Sequence, residues 1–354
     1  SDCWVEDARL VVLNAVDAAR LGATVMTRTE CVSLTSQGGN WKAGLRIDGG
    51  AEMQIEAKAV INAAGPWVDQ VAGVSGDRKN RPSVRLGKGS HLIVPKLFDD
   101  ERCFIFQAGD GRIVFAIPYE NGRYTLIGTT DLPFEGDLNQ VSASAEEIDY
   151  LCALSNDYFD QQISPADVVS TYSGVRPLFE DHAAEASSVT RDYVLKLEDH
   201  DGANMLSVSG GKITTYRKLA EDALKLLQPD FSSMSEPWTK DAPLPGGDMP
   251  VANFEAFMEA IEAQYEWLAP QLAHRMARTY GTKIHDILNG TTRIKDLGHH
   301  YGAGLYQKEV DYLIEHEFAR SFEDIIMRRT KLGLHMSSNE ISALRDQFQN
   351  RLVA

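Results

Sequence analysis

The spacing of apolar residues changes character at about residue 237. Before that point, helical patterns alternate with short runs that are typical of strands; after residue 250, nearly every pattern is helical. The stretch between them, EPWTKDAPLPGGDMP, is rich in proline and glycine. The pattern therefore predicts a mixed region of helices and strands, followed by an all-α C-terminal domain at residues 237–354.

Within the mixed region, the first predicted element is a helix over residues 6–21 that ends at Gly22. Short strands with QGGN and GG turns follow, and KAVINAAGPWVDQVAG predicts a buried strand, a Gly-Pro turn and a short helix. Residues 85–131 carry dense strand signals and predict a mostly antiparallel sheet. A capping box, Ser144 with Glu147, predicts a helix over SAEEIDYLCALSNDYF, after which strand patterns return.

A strand–turn–helix joint is predicted in SVSGGKITTYRKLAEDALKLL, residues 207–227. Gly210 and Gly211 allow a sharp turn and close approach of a ligand to the backbone, and helical spacing begins at about Tyr216. A helix N-terminus presents unpaired N–H groups and a partial positive charge, which suit an anion or an electron-rich ligand atom. The same residues would also serve an ordinary joint without a ligand, so both interpretations stay open at this point.

Two further side chains are candidates for a site. The segment GKGSHLIVP places His91 at the start of a strand after a Gly-Ser turn, and imidazole is the commonest general base near neutral pH. The segment TYSGVRPLF places Arg176 at a Gly-Val-Arg-Pro turn between strands, where a forked guanidinium can bind carboxylate or phosphate bidentately. The plainer alternatives are a structural histidine and a solvated surface charge.

Composition narrows the class of protein. The 354 residues suggest two or three domains, and their formal net charge of -16 argues against a nucleic-acid-binding protein. The four cysteines are widely spaced and predict reduced thiols in an intracellular protein, with no metal site and no disulfide framework. No apolar run approaches the roughly 20 residues that a membrane-spanning helix requires.

Several segments, taken together and in this order, resemble one family. They are DCWVEDARLVVLNA, INAAGPWV, GKGSHLIVP, IGTTD, TYSGVRPL, TRDY, GGKITTYRKLAEDAL and MRRTKLG, and they extend from residue 2 to at least residue 333. This combination resembles the FAD-dependent (aerobic) glycerol-3-phosphate dehydrogenases. The broader D-amino-acid-oxidase-like superfamily shares the Gly-x-Arg-Pro pattern, whereas the lysine turn, GTTD and RRTKLG point to this family.

The resemblance implies a fold of mixed α+β and α/β class. It consists of part of a Rossmann-like FAD-binding domain, an antiparallel-sheet substrate domain of the D-amino-acid-oxidase type and an all-α C-terminal cap. The implied boundaries are residues 1–84 for the FAD-binding part, 85–170 for the substrate domain, 171–236 for strands that return to the FAD-binding domain, and 237–354 for the cap.

The implied activity is oxidation of sn-glycerol 3-phosphate to dihydroxyacetone phosphate, with hydride transfer from C2 to FAD and electrons passed to quinone. By resemblance, His91 takes the C2 hydroxyl proton or hydrogen-bonds the hydroxyl, and Arg176 orients the substrate oxygens. Arg191 and Lys212 would hold the phosphate end, with Tyr216 and Thr215 as further pocket candidates.

The residues that the resemblance places against FAD lie in two turns. The helix N-terminus after the second turn, with Lys212 beside it, would stabilise negative charge on the reduced flavin. The family usually has Thr where Ala64 stands, which removes one hydrogen-bonding group. The FAD contacts implied are Ala63, Ala64, Gly65, Pro66, Trp67, Gly210, Gly211, Lys212, Ile213, Thr214 and Thr215.

One motif of the family does not occur in the sequence. Such enzymes hold the FAD pyrophosphate on a G-x-G-x-x-G fingerprint, and this chain contains none. We therefore expect the later part of such an enzyme, which folds at least in part, binds FAD weakly or not at all and shows no dehydrogenase activity alone. Its uncovered apolar surface predicts that the truncated flavin domain is the least ordered region or is shielded by self-association, and we expect a homo-oligomer. The resemblance also implies a cytoplasmic location with peripheral membrane contact.

Two other functions stay open. An oxidase would pass electrons from the same substrate, or from an amino acid, to oxygen. A non-catalytic folded fragment would show no turnover. In the C-terminal region, Arg328, Arg329 and Lys331 predict either a solvated basic face on a packed cap or an interaction surface.

Overall fold

The computed structural model describes residues 5–76, 84–179, 193–249 and 253–352. The chain divides into two compact units: a strand unit, Arg28–Pro237, and a helical unit, which joins Ser1–Thr27 to Trp238–Ala354. The first helix, α1 (Asp7–Arg20), therefore belongs with the C-terminal helices, whereas the sequence pattern grouped it with the strands that follow it. The functional boundaries at residues 84 and 170 remain predictions.

The strand unit contains most of the predicted strands and three helices that we name here. The helices are α2 Val68–Val74, α3 Ala145–Tyr158 and α4 Tyr216–Leu227. The strands are β1 Thr29–Gln37, β2 Asn40–Ile47, β3 Ala51–Ala57, β4 Ala59–Asn62, β5 Val84–Pro95, β6 Phe104–Gln107, β7 Ile113–Tyr119, β8 Tyr124–Gly128, β9 Leu132–Pro133, β10 Ser170–Phe179, β11 Val194–His200 and β12 Ala203–Ser209.

These strands form separate sheets. The largest has the order β10-β5-β8-β7-β6, with β9 paired to β5, and all of its pairs are antiparallel. The antiparallel sheet predicted for residues 85–131 is thus confirmed, with β10 added at one edge. In a second sheet, β12 pairs with β4 in parallel and with β11 antiparallel, and β1, β2 and β3 form an antiparallel meander.

Helix α3 covers one face of the six-stranded sheet. Its capping box is present, because the Ser144 side chain accepts from the Glu147 amide and the Glu147 side chain accepts from the Ser144 amide. The buried side chains of α3 and of the sheet form one apolar core, which includes Leu92, Val94, Val114, Ile127, Leu151 and Leu154. Since neighbouring side chains of a strand alternate between faces, this packing assigns the even-numbered residues of β5 to the core side.

The helical unit is built around a second apolar core, which includes Ile261, Met276, Ile284, Leu288, Leu305 and Leu313. Its remaining elements are α5 Phe254–Gln264, α6 Pro270–Tyr280, α7 Ile284–Ile287, α8 Gln307–His316, a π-helical segment Asp324–Arg329, α9 Ser338–Leu352, and a hairpin of β13 His300–Gly302 with β14 Leu305–Tyr306. The hairpin departs from the predicted all-helical pattern, because strands of three and two residues are too short to show alternation. Nowhere in the described residues does a helix combine the length and apolar character needed to cross a membrane.

The RRTKLG motif connects the C-terminal helices to α1. Lys331 pairs with Glu6, and Arg329 Nη2 donates to the backbone carbonyl of Glu317 at 2.8 Å. The Glu317 carboxylate in turn pairs with Arg9 of α1. Because Arg329 and Lys331 are largely covered by these contacts, the predicted solvated basic face is wrong for both residues.

Candidate active site

Strands β5 and β10 present one face that carries the candidate chemistry. The two strands pair with His91 opposite Tyr172 and Arg176 opposite Gly87. Alternate residues of each strand therefore share the side of the sheet that faces away from α3. We call this surface the glycine-rich face; it consists of Gly87, Gly89 and His91 from β5 and of Tyr172, Gly174 and Arg176 from β10.

His91 stands in the middle of strand β5. Its imidazole stacks on the Tyr172 ring, with the centroids 4.8 Å apart and an interplanar angle of 10°. On the other side it lies over Gly128 of β8, where an added Cβ would stand 2.2 Å from the imidazole Cδ2. The prediction that His91 begins a strand after a turn is wrong, because Gly89 and Ser90 continue the strand and the glycines leave room for neighbouring side chains.

Arg176 contacts the segment that follows β8. Its Nη1 lies 3.4 Å from Asp131 Oδ1, and its Nη2 lies 3.4 Å from Thr129 Oγ1. Gly89 makes room for this arrangement, since a Cβ there would lie 2.4 Å from Thr129 Oγ1 and 2.9 Å from Arg176 Nη2. The Arg176 side chain is 47% exposed, so its long contacts leave the guanidinium accessible to an anion.

The predicted turn at Arg176 is also wrong. The residue lies inside β10, and the Gly-Val-Arg-Pro segment is extended throughout. Pro177 has no N–H to donate to a neighbouring strand. It is tolerated because β10 is an edge strand, which has no neighbouring strand of the sheet on its outer side. Arg176 is consequently held by regular strand pairing instead of by a turn.

Behind the glycine-rich face, a buried carboxylate joins the strands to α3. Glu147 accepts hydrogen bonds from Ser90 Oγ at 2.8 Å, from Thr130 Oγ1 at 2.7 Å and from the Ser144 amide at 2.9 Å, and it pairs with Lys88 Nζ at 2.7 Å. Burial by itself would raise the pKa of Glu147, but these hydrogen bonds outweigh burial and lower the pKa to about 2. Through these bonds, Glu147 ties β5 and the segment after β8 to α3, on the side of the sheet opposite the glycine-rich face.

We expect Glu147→Gln to lower the free energy of unfolding of the strand unit by about 2–3 kcal/mol at neutral pH, because Lys88 then keeps its charge without a carboxylate partner. In the unchanged protein this stabilisation is full above the unfolded-state pKa of about 4.3 and is lost as the pH falls through the folded-state pKa of about 2. Urea unfolding at pH 7 and across pH 5 to 2 measures both effects. Glu146→Gln, at the exposed neighbouring position, is the matched control and should change stability little; equal losses in the two variants would contradict the network.

The first of the two predicted FAD turns lies beside this sheet. Residues Gly65–Trp67 form a 3-10 turn after β4, and this turn lies against β10. Ala63 and Trp67 are exposed, while Ala64, Gly65 and Pro66 are half-buried. Gly65 has a φ of +55°, and a side chain there would point into open space. The structure therefore brings this turn and the strand of Arg176 together, as the site prediction requires.

The second turn follows β12. Gly210 and Gly211 have φ values of +75° and +98°, and all residues from 211 to 215 are exposed. Exposed apolar side chains on both turns, Trp67 and Ile213, stand beside open backbone, which is an arrangement that fits a planar ring system such as isoalloxazine. In the described ranges, no group of three or more His, Cys, Asp or Glu side chains is arranged to hold a metal ion.

The predicted strand–turn–helix joint is confirmed, since a 3-10 turn leads from the two glycines into α4 at Tyr216. Lys212 is exposed, and its carbonyl accepts from the Thr215 amide at 3.0 Å and from Thr215 Oγ1 at 3.1 Å. Arg191 lies outside the described residues. The contacts described for Lys212 and Thr215 are with each other and involve no phosphate-binding group. The phosphate site that Lys212 was predicted to share with Arg191 therefore remains a prediction.

The candidate site also includes three residues that the sequence did not predict, namely Tyr172, Thr129 and Asp131. A signal was present in GKGSH and in YSGVR, where residues two positions apart share one strand face and the middle one is glycine. Interpreted as strands, these two segments place a histidine, a tyrosine and an arginine on a common surface. When the two segments are interpreted as turns, this common surface is not predicted.

Comparisons with known proteins identify the class to which this fold and site belong. Residues 1–217 match the family described as FAD dependent oxidoreductase, and residues 237–347 match the C-terminal domain of alpha-glycerophosphate oxidase. A glycerol-3-phosphate dehydrogenase of Pseudomonas aeruginosa is 48% identical over 99% of this chain and 68% of its own length. A D-erythritol 1-phosphate dehydrogenase of Brucella abortus is 44% identical over 100% of this chain and 71% of its own length.

A solved structure agrees with the sequence matches. The glycerol-3-phosphate dehydrogenase from Bacillus halodurans complexed with FAD has a TM-score of 0.80 at 26% identity, over 98% of this chain and 72% of that chain. The chain therefore belongs to the FAD-dependent oxidoreductases, and among them to the glycerol-3-phosphate dehydrogenase family. The resemblance stated from the motifs, the fold class and the FAD cofactor are confirmed.

Proposed function

We propose that this chain carries the substrate-oxidising face of an enzyme that converts sn-glycerol 3-phosphate to dihydroxyacetone phosphate. The observation that supports the proposal is the arrangement of His91 and Arg176 on one exposed face, with the Gly65–Trp67 turn against the same strand pair. FAD, when bound, accepts the hydride that leaves the carbinol carbon. The two exposed turns would hold its ring.

The side chains of this chain supply the remaining requirements. A ring nitrogen of His91 takes the proton of the C2 hydroxyl as the C–H bond breaks. The accessible guanidinium of Arg176 orients substrate oxygens on the glycine-rich face, where the space next to Gly174 is open to a ligand. Arg191 and Lys212 bind the phosphate end. The substrate thus has its reacting carbon at His91 and its phosphate group at Arg191 and Lys212.

The function is tested in FAD-loaded enzyme that contains, besides this chain, the part of the Pseudomonas relative that lies outside the match. Rapid anaerobic mixing of this enzyme with glycerol 3-phosphate is followed by the loss of oxidised-flavin absorbance. Reduction in a single turnover is expected, and its complete absence would overturn the proposal. A second substrate, D-erythritol 1-phosphate, is favoured by the 44% identical relative and by the open space around Gly174 on the glycine-rich face. The ratio of the two reduction rates decides between the shorter and the longer polyol phosphate.

The electron acceptor forms a separate part of the proposal. We propose quinone, and with it peripheral contact at the cytoplasmic face of a membrane and self-association, because the resemblance implies this setting. Substrate-dependent quinone reduction without peroxide would support the assignment. Peroxide formation in oxygenated buffer would instead support an oxidase, and amino-acid substrates tested in the same assay cover the remaining oxidase alternative.

The chain by itself is proposed to hold FAD weakly and to turn over no substrate. Support comes from strand β4, which pairs with β12 on one side and carries Ile61 with 47% of its surface exposed. Titration of the purified chain with FAD, followed by flavin fluorescence, measures the affinity. Adding the part of the Pseudomonas relative that lies outside the match should increase it. Tight stoichiometric binding by the chain alone would contradict this proposal and would also exclude the non-catalytic alternative.

We expect Arg176→Lys to reduce kcat/KM for glycerol 3-phosphate roughly 10- to 100-fold while the flavin spectrum stays unchanged. Lysine keeps the charge but cannot form two parallel hydrogen bonds, which removes about 1–3 kcal/mol of transition-state stabilisation. Steady-state kinetics measures the effect. Arg102→Lys, at an exposed position of the same unit, is the matched control and should keep wild-type kinetics. A normal kcat/KM in Arg176→Lys would remove Arg176 from the site.

A further inference from the structure

His91 and Tyr172 form a stacked pair of rings on the glycine-rich face. The rings are nearly parallel, at 10° and 4.8 Å, and they belong to directly paired residues of β5 and β10. Tyr172 is 41% exposed, so its ring is an element of the glycine-rich face and contributes little to the apolar core. A large, half-exposed aromatic ring in this position covers one flank of the imidazole.

The imidazole needs such support because its own torsion does not fix its plane. Rotation about the bond between Cβ and the ring is broad for histidine, unlike rotation between tetrahedral carbons. A general base, however, accepts a proton only along the lone pair, which lies in the ring plane. The orientation of the plane therefore has to be set by neighbouring groups.

Two of the described residues, Tyr172 and Gly128, lie against the His91 imidazole and limit its movement. Tyr172 flanks it on the β10 side, and the bare backbone of Gly128 receives its edge on the β8 side, where a Cβ would stand 2.2 Å from Cδ2. Both partners lie on strands that are hydrogen-bonded to β5 at His91 itself. Backbone pairing thus fixes the two partners, and they in turn fix the imidazole.

We propose that Tyr172 is a positioning residue that sets the plane of the His91 imidazole by stacking, with its ring and not its hydroxyl. The inference rests on the proposed function, in which His91 takes the substrate proton. A misplacement of about 1 Å in a reacting group can cost on the order of 100-fold in rate. Removal of the ring should therefore lower kcat and leave KM nearly unchanged.

The test compares Tyr172→Leu, which removes the ring, with Tyr172→Phe, which keeps it. We expect flavin reduction by glycerol 3-phosphate to slow about 10- to 100-fold in Tyr172→Leu and to stay within about twofold in Tyr172→Phe. A second readout does not depend on turnover. In protein labelled with ¹³C-histidine, the Cε1–Hε1 signal of His91, identified by its absence in His91→Ala, should move away from its ring-shifted position in Tyr172→Leu and stay in place in Tyr172→Phe.

The outcomes separate this inference from the function on which it rests. If His91→Ala reduces normally, His91 is not the base and the positioning role falls with it, whatever the NMR signal shows; the proposed activity itself fails only if the unchanged enzyme does not reduce its flavin. If His91→Ala is slow but Tyr172→Leu keeps both the rate and the signal position, only the positioning role is overturned. If Tyr172→Phe is as slow as Tyr172→Leu, the hydroxyl is what matters, which also overturns the stacking role. Circular dichroism confirms that the variants are folded.

Discussion

Replacement of His91 by alanine should slow reduction of the flavin by glycerol 3-phosphate by about two to four powers of ten, the range expected for loss of a general base. The half-buried imidazole lies on the same sheet face as Arg176, and it is flanked by Tyr172 and Gly128. Without it, the hydroxyl proton has to leave to water as the C–H bond breaks. Binding of FAD should not change, because the two flavin turns lie on other segments.

Stopped-flow absorbance of the FAD-loaded enzyme measures this effect directly. His200→Ala is the matched control, since His200 also packs against an aromatic ring, Trp41 at 5.1 Å, but in a different sheet. An unchanged rate in His91→Ala, or an equal loss in the control, would leave His91 a structural residue.

Elements whose signals are local were predictable from the sequence. The capping box at Ser144 and Glu147 begins α3, and Gly210 with Gly211 separates β12 from α4, as the pattern indicated. In these cases the decisive residues lie within a few positions of each other. The same holds for the antiparallel sheet, whose dense strand signals lie within residues 85–131; in β7, for example, buried and less buried positions alternate over Ile113–Ile117.

The errors arose where the partner strand decides what a residue does. Gly-Ser before His91 and Gly-x-Arg-Pro around Arg176 have turn composition, yet both segments are strands. Each glycine occupies a place where the neighbouring strand's side chain needs room, as Gly89 does for Arg176 and Gly128 does for His91. The presence of glycine in a segment indicates that a turn is permitted there. Only the pairing of the strands shows that these glycines make room for side chains of a neighbouring strand. The local structure of His91 and Arg176 was therefore predicted wrongly, and their roles in the site remain predictions.

The role of RRTKLG could not be predicted for a related reason. Lys331 of the motif pairs with Glu6, which is 325 positions away along the chain. Arg329 donates to the backbone carbonyl of Glu317, whose carboxylate pairs with Arg9, 308 positions away. No pattern within the motif distinguishes a solvated basic face from cations that pair with buried or half-buried carboxylates. Only the packing of the helical unit shows that Lys331 pairs with Glu6 and that Arg329 contacts Glu317 and Asp324.

The strongest of these contacts carries the largest expected effect on stability. Arg9 and Glu317 are 7% and 1% exposed, and they pair directly in the helical unit. Among the described residues, Arg9 Nε and Glu317 Oε1 find no hydrogen-bond partner, so the protein replaces only part of the hydrogen bonding that the pair has in water. Removing one member leaves the other charge buried. We expect Arg9→Met and Glu317→Leu each to lower the free energy of unfolding of the helical unit by about 3–5 kcal/mol.

The double variant Arg9→Met/Glu317→Leu should be clearly more stable than either single variant, because it leaves no unpaired charge and fills the space with apolar groups. Urea unfolding gives the coupling energy, and hydrogen exchange shows whether the α1 amides open before the rest of the unit. Arg20→Met, on the same helix but in an exposed pair with Asp17, is the matched control and should change little. If the single variants lose no more stability than this control, the pair does not hold α1. If the losses of the two single variants simply add in the double variant, the two side chains act independently, and α1 is held by its apolar contacts instead.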